Sequence, residues 1–63
     1  LWVKINYAVG DYVKYVIGEL IKEDDVWVVV RDPKQGIVEV KQSTIIEFIR
    51  YDKKPDLLGG GSE

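Results

Sequence analysis

The sequence predicts an all-β fold: five strands in a strongly bent, antiparallel small barrel. Three observations lead there. The chain of 63 residues contains 10 Val and 7 Ile against 4 Leu and 1 Ala, and β-branched side chains at that excess favour a pleated sheet over a helix. Apolar and polar residues alternate with a period of two over several short stretches. Turn-forming residues punctuate those stretches at close intervals, and no helical period of useful length appears.

Taken in order, Trp2–Val9 sets Val3, Ile5, Tyr7 and Val9 on one side against Trp2, Lys4, Asn6 and Ala8 on the other. Gly10-Asp11 then makes a two-residue hairpin turn, with glycine at the first central position. Tyr12–Lys22 forms a long second strand. Its internal Gly18 is the candidate barrel bend, because glycine inside a strand marks a bulge or sharp turn of the sheet. Asp24-Asp25 is the next turn. Val26–Arg31 contains the run VWVVV, which reads as a strand buried on both sides or covered by a neighbour.

Asp32-Pro33-Lys34-Gln35-Gly36 is the strongest local signal. Asp accepts hydrogen bonds at the start of the loop, Pro presets φ, and Gly closes in the left-handed region. Ile37–Lys41 alternates again, Val38 and Val40 facing one way, Glu39 and Lys41 the other. Gln42-Ser43-Thr44 predicts one 3₁₀ turn. Ile45–Arg50 is the fifth strand, with Ile46 and Phe48 pointing inward, and Trp27 and Phe48 filling the barrel. The domain is assigned to residues 1–58, with a flexible C-terminal tail in which Leu57 and Leu58 cap an open end of the core. Gly59-Gly60-Gly61-Ser62-Glu63 reads as a Gly/Ser linker at 59–63. Leu1 in place of Met fits a chain trimmed or excised from a longer one.

Composition narrows the function classes. With no Cys and no His, thiolate zinc sites, disulfides and histidine-based catalysis are excluded, and no cofactor or metal is expected. Ser43 has no base to activate it, and so small a chain supplies no walls for a two-carboxylate cleft. The run Glu23-Asp24-Asp25 reads as a solvated turn. No apolar run approaches a membrane span and nothing reads as a signal peptide, so the expectation is a cytoplasmic or otherwise intracellular protein away from membranes. The formal charge is −2. Residues 1–32 carry four basic and six acidic groups, and residues 33–58 carry five and four. That balance leaves no general nucleic-acid footprint.

The segment Gly18-Glu19-Leu20, Asp24 and Val26-Trp27-Val28-Val29-Val30 resembles the first motif of the Sm and Sm-like family. Ile37 to Ile49 is similar in layout to the second. The resemblance spans about forty residues and extends to SH3-like barrels more broadly. It implies a ring-forming, RNA-binding or protein-binding subunit in which the fourth strand of one copy pairs with the fifth of its neighbour. The family's RNA-holding Asn corresponds to Val28 here, and its Arg-Gly pair falls near Ser43-Thr44. Where the bacterial Sm-like chaperone has Tyr-Lys-His, this chain has Glu39-Val40-Lys41, so only Lys41 carries over.

Two sets of residues are therefore singled out. Tyr12, Lys34 and Lys41 are candidate contacts to single-stranded RNA or another ligand. Ile37, Glu39, Lys41, Ile45, Glu47 and Ile49 are the candidate assembly edge, with Ile37, Ile45 and Ile49 as surplus apolar residues for self-association through strands 4 and 5. Two alternatives stand beside this reading. A tudor-like or SH3-like peptide-binding module needs Tyr12, Tyr15 and Trp27 to converge. An engineered or de novo designed scaffold without a ligand also fits a chain lacking Met, His and Cys.

Overall fold

The computed structural model describes residues 1–54, so Leu57 and Leu58, expected to cap the core, and the linker at 59–63 lie outside the described residues. The strands are β1 (Trp2–Val9), β2 (Tyr12–Glu23), β3 (Trp27–Asp32), β4 (Gly36–Lys41) and β5 (Ile45–Tyr51). A 3₁₀ turn at Gln42–Thr44 joins the last two. All four ladders are antiparallel and make one sheet in the order β4-β3-β2-β1-β5.

The expectation of a closed barrel is corrected to an open sheet, in which no ladder joins β4 to β5. Topology explains why. Four successive antiparallel pairings leave β4 and β5 running in the same direction. A parallel pair needs a crossover of a dozen or more residues, and Gln42–Thr44 supplies three.

The sheet nevertheless covers its own inner face. Val3, Ile5, Val16, Val28, Val30 and Val40 form the buried core, and Tyr7, Leu20, Val38, Ile45 and Phe48 pack against it. Side chains with no exposure on one face of a single sheet need cover from beyond that face. Here the cover comes from the far strands, so the sheet folds over on itself.

β2 makes this possible by serving two partners. Tyr12 to Glu19 pairs with β1, and Glu19 to Glu23 pairs with β3. Beside the handover, the β3 backbone crosses so closely that a Cβ at Gly18 would lie 2.7 Å from Val30 Cγ1 and would overlap the Arg31 carbonyl oxygen. Three residues beyond Gly18, Ile21 is an extra residue in β2 between the pairs Leu20–Val30 and Lys22–Val29. Such a bulge bends the strand and increases its twist.

The turns follow the local chemistry. Asp32, 8% exposed, accepts from the backbone N–H groups of Lys34 at 2.7 Å and Gln35 at 3.1 Å. Gly36 closes the loop at φ 83°, where a side chain would be strained. β3 begins at Trp27 rather than Val26, because Asp24 Oδ1 accepts from the N–H groups of both and holds Val26 in the turn.

Side-chain facing departs from expectation in two places. The VWVVV run is not buried on both sides: Val28 and Val30 are in the core, Val29 is half-buried and Trp27 is 43% exposed. One face of β3 lies over the core and the other has no covering layer among the described residues. In β5, Asn6 pairs with Glu47 but Tyr7 pairs with Ile45, leaving Ile46 as an extra residue. The bulge resets the alternation. Ile45 turns toward the core, Ile46 is 61% exposed, and Phe48 packs inward as expected.

Two substitutions test these features by thermal or denaturant unfolding. Gly18→Ala should destabilise by about 2 kcal/mol or more, since backbone atoms must move to admit the methyl group. Ile46→Ala should change stability by less than about 0.5 kcal/mol, whereas Ile45→Ala should cost more than about 1 kcal/mol. Equal costs at 45 and 46 would contradict the bulge.

Candidate functional site

Since the sheet does not close, its edges are the first surface to consider. On β4, Ile37, Glu39 and Lys41 are all exposed, and Ile37 keeps 58% of its accessible surface. Val38 and Val40 point the other way, toward the core. The β5 set is less uniform. Ile45 packs against the core and is removed from the surplus apolar edge residues, because the Ile46 bulge turns it inward. Glu47 is exposed and accepts a 2.7 Å hydrogen bond from Asn6 Nδ2, while Ile49 is half-buried.

The three candidate ligand contacts lie on separate parts of the sheet. Tyr12, 74% exposed, opens β2 beside the Gly10-Asp11 turn. Lys34 is in the β3–β4 loop, and Lys41 closes β4 at its other end. Six residues of strand separate those lysines by roughly 20 Å. The tudor-like arrangement is not met either. Tyr12 and Tyr15 are an odd number of residues apart on a stretch of β2 with unbroken register, so they leave opposite faces, and Trp27 lies across from Lys41 at the far end of the β3–β4 hairpin.

Several contacts join residues with no local relation in the sequence. Arg50 donates to Glu23 Oε2 at 2.8 Å, and its guanidinium lies 4.5 Å from the centre of the Phe48 ring. This pair ties the end of β2 to β5, two strands that share no ladder. The hydrogen bond to Glu23 raises the Arg50 pKa further above its usual value. On the outer face, Lys4 Nζ lies 5.6 Å from the Tyr15 ring and Lys54 Nζ 5.9 Å from the Trp2 ring. Across-strand position in a twisted sheet, not local spacing, brings these groups together. The one legible hint was period two, which puts Lys4 and Trp2 on the same face of β1.

The carboxylate cluster resolves into separate structural roles. Glu23 holds Arg50, and Asp24 ties down the β2–β3 turn. Gln42 then joins that turn to the 3₁₀ segment: its N–H donates to the Val26 carbonyl at 2.8 Å and its Nε2 to the Asp24 carbonyl at 3.0 Å. Among the described residues, no group of three or more His, Cys, Asp or Glu could hold a metal ion, and no helix is long and apolar enough to cross a membrane.

Comparison with known proteins found no matching family model, no matching curated protein and no matching solved structure.

The Asp24 turn yields a pH prediction. Hydrogen bonds from the backbone N–H groups of Trp27 and Val26 hold its carboxyl below the ordinary value of 3.8. A depressed carboxyl contributes stability above its unfolded pKa and loses it as pH falls through the folded value. Asp24→Ala should therefore lower the unfolding midpoint at pH 7, and the gap from the unsubstituted chain should narrow below about pH 4. A gap unchanged down to pH 2 would show that ionisation of Asp24 does not matter.

Proposed function

We propose that this chain is a non-catalytic interaction module of the Sm-like or SH3-like kind, built on a barrel-like sheet that does not close. On this reading it self-associates through the edge strands β4 and β5 and presents the shared surface to single-stranded RNA or to a protein. One observation carries the reading: the sheet ends in two unpaired strands, and one of them displays Ile37 beside alternating charges. Free strand edges with apolar flanks template the addition of another strand. The core shared by all five strands supports the barrel-like description, although the rim between β4 and β5 carries no ladder. Size gives a further reason. A domain this small buries about 60% of the surface its unfolded chain exposes, so burial against another copy adds stability it otherwise lacks.

Native mass spectrometry and light scattering over a concentration series provide the test. An assembly larger than the monomer is expected, with dissociation on dilution. A strict monomer at every concentration would remove the self-association reading. For RNA, a single-stranded oligonucleotide should bind more weakly as ionic strength rises, with Lys34→Ala and Lys41→Ala each flattening the salt dependence. Binding indifferent to salt, or no binding at low salt, would leave protein as the partner.

A further inference from the structure

Antiparallel backbone hydrogen bonds fall on every second residue pair. The phase of that alternation can be read at each edge. The bond from Gln42 N–H to the Val26 carbonyl sets it for β3 and β4. By the same register, the bonded pairs are Val28–Val40, Val30–Val38 and Asp32–Gly36. The backbone groups of Ile37, Glu39 and Lys41 therefore point out of the sheet edge, and these residues carry their side chains on the outer face.

At β5 the relation is reversed. The 2.8 Å bond from Leu20 N–H to the Leu1 carbonyl sets the β1–β2 phase. Trp2, Lys4 and Asn6 are left to bond with Tyr51, Ile49 and Glu47 of β5. The free backbone groups belong to Phe48 and Arg50, which lie on the inner face with the core and the Glu23 pair.

Residues directly opposite in an antiparallel pair point to the same face. Adding β5 of one copy to β4 of another would therefore make the outer face of the first run into the inner face of the second. Adding β4 to β4 has matching phase, and outer face continues into outer face. We propose that a second copy of this chain docks on β4, antiparallel and two-fold symmetric about Val40. Glu39 then lies opposite the partner's Lys41, and Lys41 opposite the partner's Glu39. The proposal rests on the edge-association reading above and specifies which edge is used, and by what.

Charge selects the register. A pairing centred on Glu39 would oppose Glu39 to itself, and one centred on Val38 would oppose Ile37 to Glu39. Only the pairing centred on Val40 sets both charges against their opposites, and like charges directly across a ladder are destabilising. Both side chains are exposed, and neither takes part in an ion pair among the described residues. The Lys41 carbonyl already accepts from Thr44 Oγ1 at 2.7 Å and closes the 3₁₀ turn at Gln42–Thr44, so the new ladder bonds run from each Lys41 N–H to the partner's Glu39 carbonyl. Trp27 lies across from Lys41 on β3, and Val29 across from Glu39. Each outer row of the joined sheet thus reads Trp27, Lys41, the partner's Glu39, the partner's Val29. That arrangement gives the half-exposed indole an ion pair to flank.

Charge exchange on the full chain tests this. Sedimentation equilibrium or native mass spectrometry should show a dimer that weakens with salt. Glu39→Lys and Lys41→Glu should each weaken it about tenfold or more, by turning two attractive pairs into two repulsive ones. An equimolar mixture of the two variants should form a heterodimer close to the original in affinity, and the double variant E39K/K41E should restore the homodimer. Circular dichroism checks that every variant is folded. An assembly that ignores both charges, or a closed ring of three or more copies, would overturn β4-to-β4 pairing and leave edge association standing. A monomer throughout would overturn both.

Discussion

The close crossing of β2 and β3 at Gly18 is the constraint on which the rest depends. A single strand there ends its pairing with β1 and begins its pairing with β3, with Glu19 partnered on both sides. The β3 backbone fills the space a side chain would need. Without that approach the two halves of the sheet would spread apart, and one layer could not bury six aliphatic side chains. The Ile21 bulge adds to the same bend, and the Glu23–Arg50 pair fastens the far end of β2 to β5. Solvent screens that exposed pair, so its role is positional more than energetic.

The core is narrow in composition as well as in size. Five of its six fully buried side chains are valine and one is isoleucine. Short β-branched side chains suit a sheet folded tightly over itself, because little depth is available between facing strands. The larger aromatics are accordingly displaced. Trp27 lies outside, Trp2 and Tyr51 oppose each other at the margin, and Phe48 is only partly covered. Apolar content therefore remains on the surface of a chain with few other means of stabilisation.

Much of the fold was legible because its signals are local. The alternation in β1, the Asp32–Gly36 loop and the 3₁₀ turn at Gln42–Thr44 each follow from neighbouring residues, and each appears where the residues place it. What local pattern does not encode is a change of phase. Ile45-Ile46 offers two equivalent side chains, and the choice between them is made by a bulge in the ladder with β1, a strand some forty residues earlier. Trp27 failed for a related reason: the apolar run around it is continuous, so period two could not say which members face inward. At the candidate site, the β4 residues were visible from their alternation. The inward turn of Ile45 and the Glu23–Arg50 link were not, since both depend on how distant strands meet.

The position of β5 bears on how the chain assembles. β1 to β4 join sequence neighbours through short turns, whereas β5 must find β1, with Trp2 opposite Tyr51. Loop-closure entropy makes that contact the costliest in the sheet to establish, and it gains its reward only after β1 is held by β2. Until then Phe48 has no core to pack on, and both sides of the first strand stay open to a competitor. An open strand edge at that stage can template pairing with another chain in place of β5.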